Sequence, residues 1–166
     1  MLKITLDTNC LFDYFERNKQ ATLERLFQLH KEGKIEIAIT TRVKTDTYGK
    51  DKNSRIWRKI KDWIREYHIK VLPCIGRWEI SYWDEDIWSG EKELILDKKL
   101  KDIIGSENIN DIDHLMAHIR HKRDIFITDD SDFLNVKNAL EKKFSIKILT
   151  PEDAVSYLRK FFNIAG

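Results

Sequence analysis

Aspartates follow the predicted strands of this sequence, and they are the residues best suited to carry out chemistry. Asp7 directly follows the apolar run Leu2–Leu6, and Asp130 comes just after the run Ile125–Ile127. In a parallel sheet, ligands bind outside the carboxyl ends of the strands. Five acids from four separate elements are therefore candidates for one rim: Asp7, Asp46, Asp113, Asp130 and Asp132.

Carboxylates gathered at one rim require protons or a cation. Two of them about 4 Å apart repel by roughly 4 kcal/mol at an effective dielectric constant of 20. Mg²⁺ and Mn²⁺ are the expected partners, because hard cations prefer oxygen ligands. A divalent ion held in this way can activate water and neutralise charge developing on a phosphate. The pattern therefore indicates phosphodiester hydrolysis.

The elements that must position these acids alternate between strand and helix. Strands are predicted at Leu2–Leu6, Ile35–Thr40, 69–72, 124–128 and 145–149. Helices are predicted at 20–32, 53–67, 92–103, from Asn110 or Asp111 onward, 133–142 and 151–162. No hairpin turn signal joins two strands. We expect a three-layer α/β/α sandwich with a central parallel sheet of about five strands.

Composition limits the classes of protein to which the chain can belong. Its 166 residues suit one domain, residues 1–166, and the 42% hydrophobic content excludes a disordered chain. A net charge of +2 excludes a uniformly basic nucleic-acid binder. With two cysteines, no long apolar run and no signal-peptide pattern at the start, we expect a soluble cytoplasmic protein.

Three segments resemble the PIN-domain ribonucleases. Residues 6–15, Leu-Asp-Thr-Asn-Cys-Leu-Phe-Asp-Tyr-Phe, are similar to the opening of that family. Residues 127–133, Ile-Thr-Asp-Asp-Ser-Asp-Phe, resemble its Thr-x-Asp-x-Asp-Phe signature. Residues 113–117, Asp-His-Leu-Met-Ala, stand where the family carries a helix-borne acid. The three segments occur in the family's order.

The resemblance implies a PIN-like fold and a metal-dependent endoribonuclease acting on single-stranded or loop RNA. It implies these catalytic and metal-binding residues: Asp7, Asp46, Asp113 and Asp130, with Asp132 as an auxiliary acid. Asn9 and Thr128 would orient carboxylates by hydrogen bonds. The implied cofactor is Mg²⁺ or Mn²⁺, and a toxin role with an antitoxin partner, as well as homodimerisation, are further expectations from the family.

Two features depart from the family. Its second acid is usually a glutamate, whereas this chain has Asp46, which is one methylene shorter. Residues 74–105 form a longer, insertion-like segment that contains Trp78, Trp83 and Trp88. These tryptophans would stack on bases, cover a small side core or form a dimer interface.

Simpler interpretations exist for several of the acids. Asp113 could be only a helix-terminal carboxylate, and Asp46 could be an exposed acid in a charged loop. Asp129, Asp130 or Asp132 could cap the following helix. Asp111 competes with Asp113, because at about 100° per residue the two lie on opposite flanks of their helix and only one faces the rim. We choose Asp113 because its spacing matches the family.

A basic stretch could contact a phosphate backbone. Residues 42–70 hold ten Lys and Arg against four Asp and Glu, a local charge of +6. Residues 75–107 carry nine acids against five bases, which offsets it in the total. The candidate RNA-binding residues are Arg42, Lys44, Arg55 and Arg58. The alternative is a solvated amphipathic helix whose charge is incidental.

Other residues favour structural interpretations. His114, His118 and His121 recur at helical spacing, but a solvated face is a better prediction than a zinc site. Cys10 is expected to be a buried, inert thiol. The alternative functions are a non-catalytic PIN-like scaffold that binds RNA or protein and, more remotely, a phosphoacceptor signalling domain.

Overall fold

The computed structural model of this chain describes residues 1–16, 20–50, 55–77 and 90–163. The strands are β1 (Leu2–Leu6), β2 (Ile35–Thr40), β3 (Lys70–Leu72), β4 (Ile125–Ile127) and β5 (Lys147–Leu149). The helices are α1 (Thr8–Phe15), α2 (Gln20–Lys31), α3 (Arg42–Lys50), α4 (Arg55–Tyr67), α5 (Glu91–Ile104), α6 (Ile109–Arg120), α7 (Ser131–Leu134), α8 (Lys137–Phe144) and α9 (Pro151–Phe161). None of the described helices is both long and apolar enough to cross a membrane.

The strands form one parallel sheet in the order β3-β2-β1-β4-β5. The chain first builds the sheet outward from β1 through β2 to β3, and then adds β4 and β5 on the other side of β1. Strand order therefore reverses between β1 and β4. In open α/β sheets this reversal leaves a crevice at the carboxyl ends of the two strands.

Apolar side chains on both faces of the sheet hold the layers together. In β4, Ile125 and Ile127 belong to one core cluster and Phe126 belongs to the other, because successive strand residues point to opposite faces. The first cluster includes Leu26 of α2, Ile60 of α4 and Leu158 of α9. The second includes Leu100 of α5, Leu115 of α6 and Leu140 of α8. The predicted α/β/α sandwich with a five-stranded parallel sheet is confirmed.

Local signals set several element ends as predicted. Gly33, with φ of +68°, follows the end of α2, a backbone conformation that glycine adopts without steric penalty. The Thr150 side chain accepts a hydrogen bond from the Asp153 backbone N–H at 3.2 Å and so caps α9. Pro151 occupies the first helical position, where its missing N–H leaves no intrahelical bond unmade.

The structure differs from the sequence prediction in four helical regions. Helices α1 and α3 were not predicted, and α3 contains Val43, Thr45, Thr47 and Gly49, which are poor helix formers. The helix predicted at 133–142 is two helices, α7 and α8. The N-cap of α6 is Asn108, two or three residues before the predicted cap at Asn110 or Asp111. Trp78, Trp83 and Trp88 lie outside the described residues.

Candidate active site

A cavity of about 390 Å³ opens at the carboxyl ends of β1 and β4, at the reversal of strand order. Its lining is strongly acidic and includes the residues that follow β1 and β4 together with side chains of α1, α3 and α6. The lining residues are Asp7, Thr8, Asn9, Phe12, Thr45, Asp46, Asn110, Asp111 and Asp130. Three of the predicted site acids, Asp7, Asp46 and Asp130, therefore lie together.

Asp7 is placed by the transition from β1 to α1. Its backbone N–H donates to the Ile127 carbonyl at 3.0 Å, which extends the pairing of β1 with β4. The carboxylate caps α1 by accepting from the Thr8 N–H at 2.7 Å, and it accepts from the Thr128 hydroxyl, also at 2.7 Å. Thr128 therefore forms the kind of bond that the resemblance implies. Burial raises the pKa of Asp7, although these bonds and the nearby His114 oppose the shift.

Asp130 is placed by the transition from β4 to α7. Its Oδ1 accepts from the Asp132 backbone N–H at 2.9 Å, so it is the N-cap of α7. Its Oδ2 accepts from the Asn9 side-chain amide at 2.7 Å, an orienting bond of the predicted form. Asp130 therefore both caps α7 and lines the cavity. The exposed Asp132 is outside the lining, and its carboxylate accepts from the Asn108 amide at 3.2 Å.

Asp46 lies on α3 rather than in an exposed loop, and its side chain is only 15% exposed. Its Oδ1 accepts from the Asn110 amide at 2.8 Å. Its Oδ2 accepts from the Thr8 hydroxyl at 2.6 Å and lies 2.9 Å from His114 Nε2. Asp46 is therefore held by α1 and α6 at once, and the interpretation as a solvated loop acid is wrong.

His114 is a buried member of this network that the sequence analysis placed on a solvated face. Its Nδ1 lies 2.6 Å from the Thr40 hydroxyl, and its Nε2 is 4.0 Å from Asp7 Oδ1. Burial alone lowers the pKa of His114, but the hydrogen bond to Asp46 and the surrounding carboxylates outweigh it and raise the pKa. His118 is also fully buried. The predicted solvated histidine face is therefore wrong at both positions.

Asp111, rather than Asp113, faces the cavity from α6. The prediction that the two acids lie on opposite flanks is confirmed, but the choice between them is reversed. Asn110, Asp111 and His114 share the flank toward the cavity, as their helical spacing allows. Burial, together with repulsion from Asp7, Asp130 and Asp46, raises the pKa of Asp111 to about 7.

Asp113 is fully buried in an ion-pair network on the other flank of α6. Its Oδ2 accepts from Arg42 Nε at 2.7 Å, and its Oδ1 accepts from Arg77 Nε at 2.8 Å. Arg77 also pairs with Asp97, which in turn pairs with Lys101. Both oxygens of Asp113 are thus used by arginines, so the structure does not bring it to the other acids. The same network corrects the RNA-binding prediction for Arg42, which is 1% exposed.

The other predicted RNA contacts lie nearer the surface. Lys44 on α3 is half-buried and lines a second cavity, on the other side of α3 from Asp46. Arg55 and Arg58 are exposed on α4. Cys10 is fully buried as predicted, with its Sγ 3.5 Å from the Ile127 carbonyl, and burial raises its thiol pKa well above the usual value.

The cavity has the donor chemistry for a divalent cation but not a finished coordination shell. Among the described residues, no group of three or more His, Cys, Asp or Glu side chains could hold a metal as they stand. The donors are nevertheless hard oxygens, and the pKa of Asp111 is raised by burial and also by repulsion from neighbouring carboxylates, which a cation would relieve. Four carboxylates supply oxygen ligands of the kind that a divalent cation takes: Asp7, Asp46, Asp111 and Asp130.

Residues that the sequence analysis did not assign complete the site. Thr8 and Asn110 both donate to Asp46, and His114 joins them. Helical spacing could have grouped Asn110 with His114, since residues four apart share a face. The contact with Thr8 spans 38 residues and has no local signal.

Comparison with known proteins supports the fold. No protein-family model matches the chain, and no curated protein matches it either. A crystal structure of VapBC2 from Rickettsia felis, bound to a DNA fragment from their promoter, is similar to this structure with a TM-score of 0.58. The similarity covers 90% of this chain and 98% of that chain, at 13% sequence identity. The chain has a PIN-like fold.

Proposed function

We propose that the chain is a metal-dependent endoribonuclease that cleaves single-stranded or loop RNA. The observation that supports this most is the meeting of four aspartates in one cavity at the strand reversal, two that follow β1 and β4 and two on α3 and α6. The PIN-like fold is consistent with a nuclease, and the residues of the site carry the argument for function. A toxin role, with an antitoxin that blocks this cavity, is part of the same proposal.

The cation would be Mg²⁺ or Mn²⁺, held by Asp7, Asp46, Asp111 and Asp130. When bound, it supplies water activation and neutralises charge on the phosphate. The protein contributes orientation. Thr128 and the N-terminus of α1 hold Asp7, whereas Asn9 holds Asp130. Because these carboxylates cap helices, the rigid scaffold fixes their positions before substrate arrives.

Hydrogen bonds at Asp46 keep that carboxylate directed toward the cavity. When Thr40 donates to His114 Nδ1, His114 Nε2–H can donate to Asp46, and this arrangement satisfies both ring nitrogens. Thr8 and Asn110 supply further donors to the same carboxylate. His114 and Thr8 thus act as positioning residues, and Asp46 gains the support that its shorter side chain requires.

The cleavage test uses the purified full chain and a labelled single-stranded RNA. We expect cleavage with Mn²⁺ and none after EDTA addition. Asp7→Asn and Asp130→Asn should each lower the rate at least 100-fold, because asparagine preserves the N-cap while removing the charge. Asp102→Asn, an exposed acid on α5, is the matched control and should cleave normally. Full metal-dependent cleavage by both site variants would refute the proposal.

A non-catalytic scaffold that binds RNA or protein is the second candidate. It is favoured by the existing hydrogen bonds, which occupy both oxygens of Asp46 and of Asp130. The two functions differ in metal affinity. Calorimetry with Mn²⁺ should show binding that Asp111→Asn weakens if the nuclease proposal holds. A chain that neither binds Mn²⁺ nor cleaves RNA would support the scaffold.

A further inference from the structure

The second cavity, of about 490 Å³, lies between the start of α3, the helix α4 and the edge strand β3. We call it the basic groove. It combines cationic, aromatic and apolar side chains, and none of its described lining residues is an acid. The lining residues are Thr41, Lys44, Trp57, Lys61, Ile64, Arg65, Val71 and Pro73.

Helix α4 contributes a regular stripe to this groove. Trp57, Lys61 and Arg65 follow one another at intervals of four residues, so they lie on one side of the helix. The half-buried Trp57 packs against the first core cluster, which fixes its position. Lys61 and Arg65 are exposed. The stripe thus presents a fixed ring followed by two cations.

The charge of the groove favours an anionic occupant. Three of its described lining residues are cations that come from two helices, Lys44 from α3 and Lys61 and Arg65 from α4. Asp62 lies 3.8 Å from Arg65, but both side chains are more than 70% exposed. Exposed pairs of this kind contribute little, so Arg65 stays available to another anion.

The groove and the acidic cavity share a wall, which is formed by the start of α3. Thr41 and Lys44 line the groove, while the next residues, Thr45 and Asp46, line the acidic cavity. Consecutive helical residues point about 100° apart, so the first turns of α3 form the wall between the two cavities. A strand that occupies the groove therefore lies beside α3, next to the cavity that holds the aspartates.

We propose that the basic groove binds a single-stranded RNA segment next to the cut site. Phosphates contact Lys44, Lys61 and Arg65, and a base stacks on Trp57. Positive grooves with aromatic platforms are the usual means of holding single strands without sequence preference. The inference rests on the proposed ribonuclease function in taking the strand to be RNA.

The binding test uses the full chain in EDTA, so that cleavage cannot interfere, and a fluorescein-labelled RNA of about 12 nucleotides. Fluorescence anisotropy is measured for the wild type and for Lys61→Gln/Arg65→Gln. Each lost phosphate contact lowers the salt slope by about 0.7 for single strands. Two lost contacts therefore lower the slope by about 1.4 and affinity by about 14-fold at 0.15 M salt. Lys142→Gln/Lys143→Gln, on the exposed side of α8, has the same charge change and should bind normally.

Substitution of Trp57 tests stacking separately from charge. Trp57→Leu keeps an apolar but smaller side chain and removes the ring, and it should weaken binding about fivefold or more. Trp57→Phe retains a ring and should bind within about twofold of the wild type. Thermal unfolding of both variants separates a packing defect from a stacking defect. Equal affinities for the folded Leu and Phe variants would overturn the stacking contact.

Two further outcomes would overturn the groove as an RNA site. One is that Lys61→Gln/Arg65→Gln and Lys142→Gln/Lys143→Gln weaken RNA binding equally, because binding would then follow net charge alone. The other is a labelled oligoglutamate peptide that binds as tightly as RNA and depends on Lys61 and Arg65, which would assign the groove to an acidic protein segment.

The groove and the nuclease proposal fail in distinguishable ways. Asp7→Asn should bind RNA like the wild type while failing to cleave it. If the wild type cleaves RNA and Lys61→Gln/Arg65→Gln binds RNA as tightly as the wild type, only the proposal that the groove binds RNA is overturned. Groove-dependent binding without cleavage by the wild type would support the groove and overturn the nuclease.

Discussion

The two neighbouring acids of α6 should respond to neutralisation in opposite ways. Asp113 is fully buried, and its partner Arg42 is 1% exposed. Removing one member of a buried ion pair leaves an uncompensated charge and costs about 3–5 kcal/mol. Asp113→Asn should lie near the lower end of that range, because Arg77 keeps its pair with Asp97. For a chain of this size, about 3 kcal/mol lowers Tm by about 6–12 °C.

Asp111→Asn should instead leave stability unchanged or raise it. The pKa of Asp111 is about 7 in the folded chain against an ordinary 3.8. The folded state therefore binds more protons between those pH values, and stability falls as pH rises through the window. The difference of about 3 between these pKa values corresponds to about 4 kcal/mol at most, and solvent screening of the partly exposed carboxyl reduces it. Asparagine removes that loss, so the variant should be more stable than the wild type at pH 8, by about 1–4 kcal/mol. Near pH 4 the difference should disappear.

Urea unfolding followed by circular dichroism, in EDTA at pH 8 and at pH 4, measures both effects. Cleavage is then assayed well below the Tm of Asp113→Asn, where that variant is folded. It should retain metal-dependent activity, whereas Asp111→Asn should lose it. Wild-type stability for Asp113→Asn, or loss of activity in Asp113→Asn with full activity in Asp111→Asn, would refute the assignment of the two acids.

Three other perturbations test the packing around the site. Burial and the nearby Arg123 lower the pKa of His118 to about 3, so the free energy of unfolding should fall as pH decreases from about 6.5 toward 3. His118→Gln should reduce this pH dependence, as measured by the urea midpoint at several pH values across the range. Thr150→Ala should lower the free energy of unfolding by about 1 kcal/mol through loss of the α9 cap, whereas Thr150→Ser should not. Leu115→Ala should lower the free energy of unfolding by about 2–5 kcal/mol, because Leu115 is fully buried on the core side of α6. A decrease of less than about 1 kcal/mol in urea unfolding would contradict that packing.

Periodicity and end signals were sufficient for the sheet and for the long helices. The strands Leu2–Leu6 and Ile35–Thr40 have their predicted bounds, because buried parallel strands are continuous apolar runs. The cap at Thr150 and the stop at Gly33 are local interactions and could be predicted as such. Helix α3 was missed because its poor helix formers are stabilised by tertiary contacts rather than by intrinsic propensity.

The sequence by itself determined that aspartates end β1 and β4 and that Asp111 and Asp113 occupy opposite flanks of one helix. Only the tertiary structure decided which flank faces the cavity. That choice depends on Arg42 and Arg77, which lie 71 and 36 residues from Asp113. A buried carboxylate requires a countercharge, and no local pattern shows where folding will place one. The arginines take Asp113 into the interior, and the same helix turns Asp111 toward the other acids.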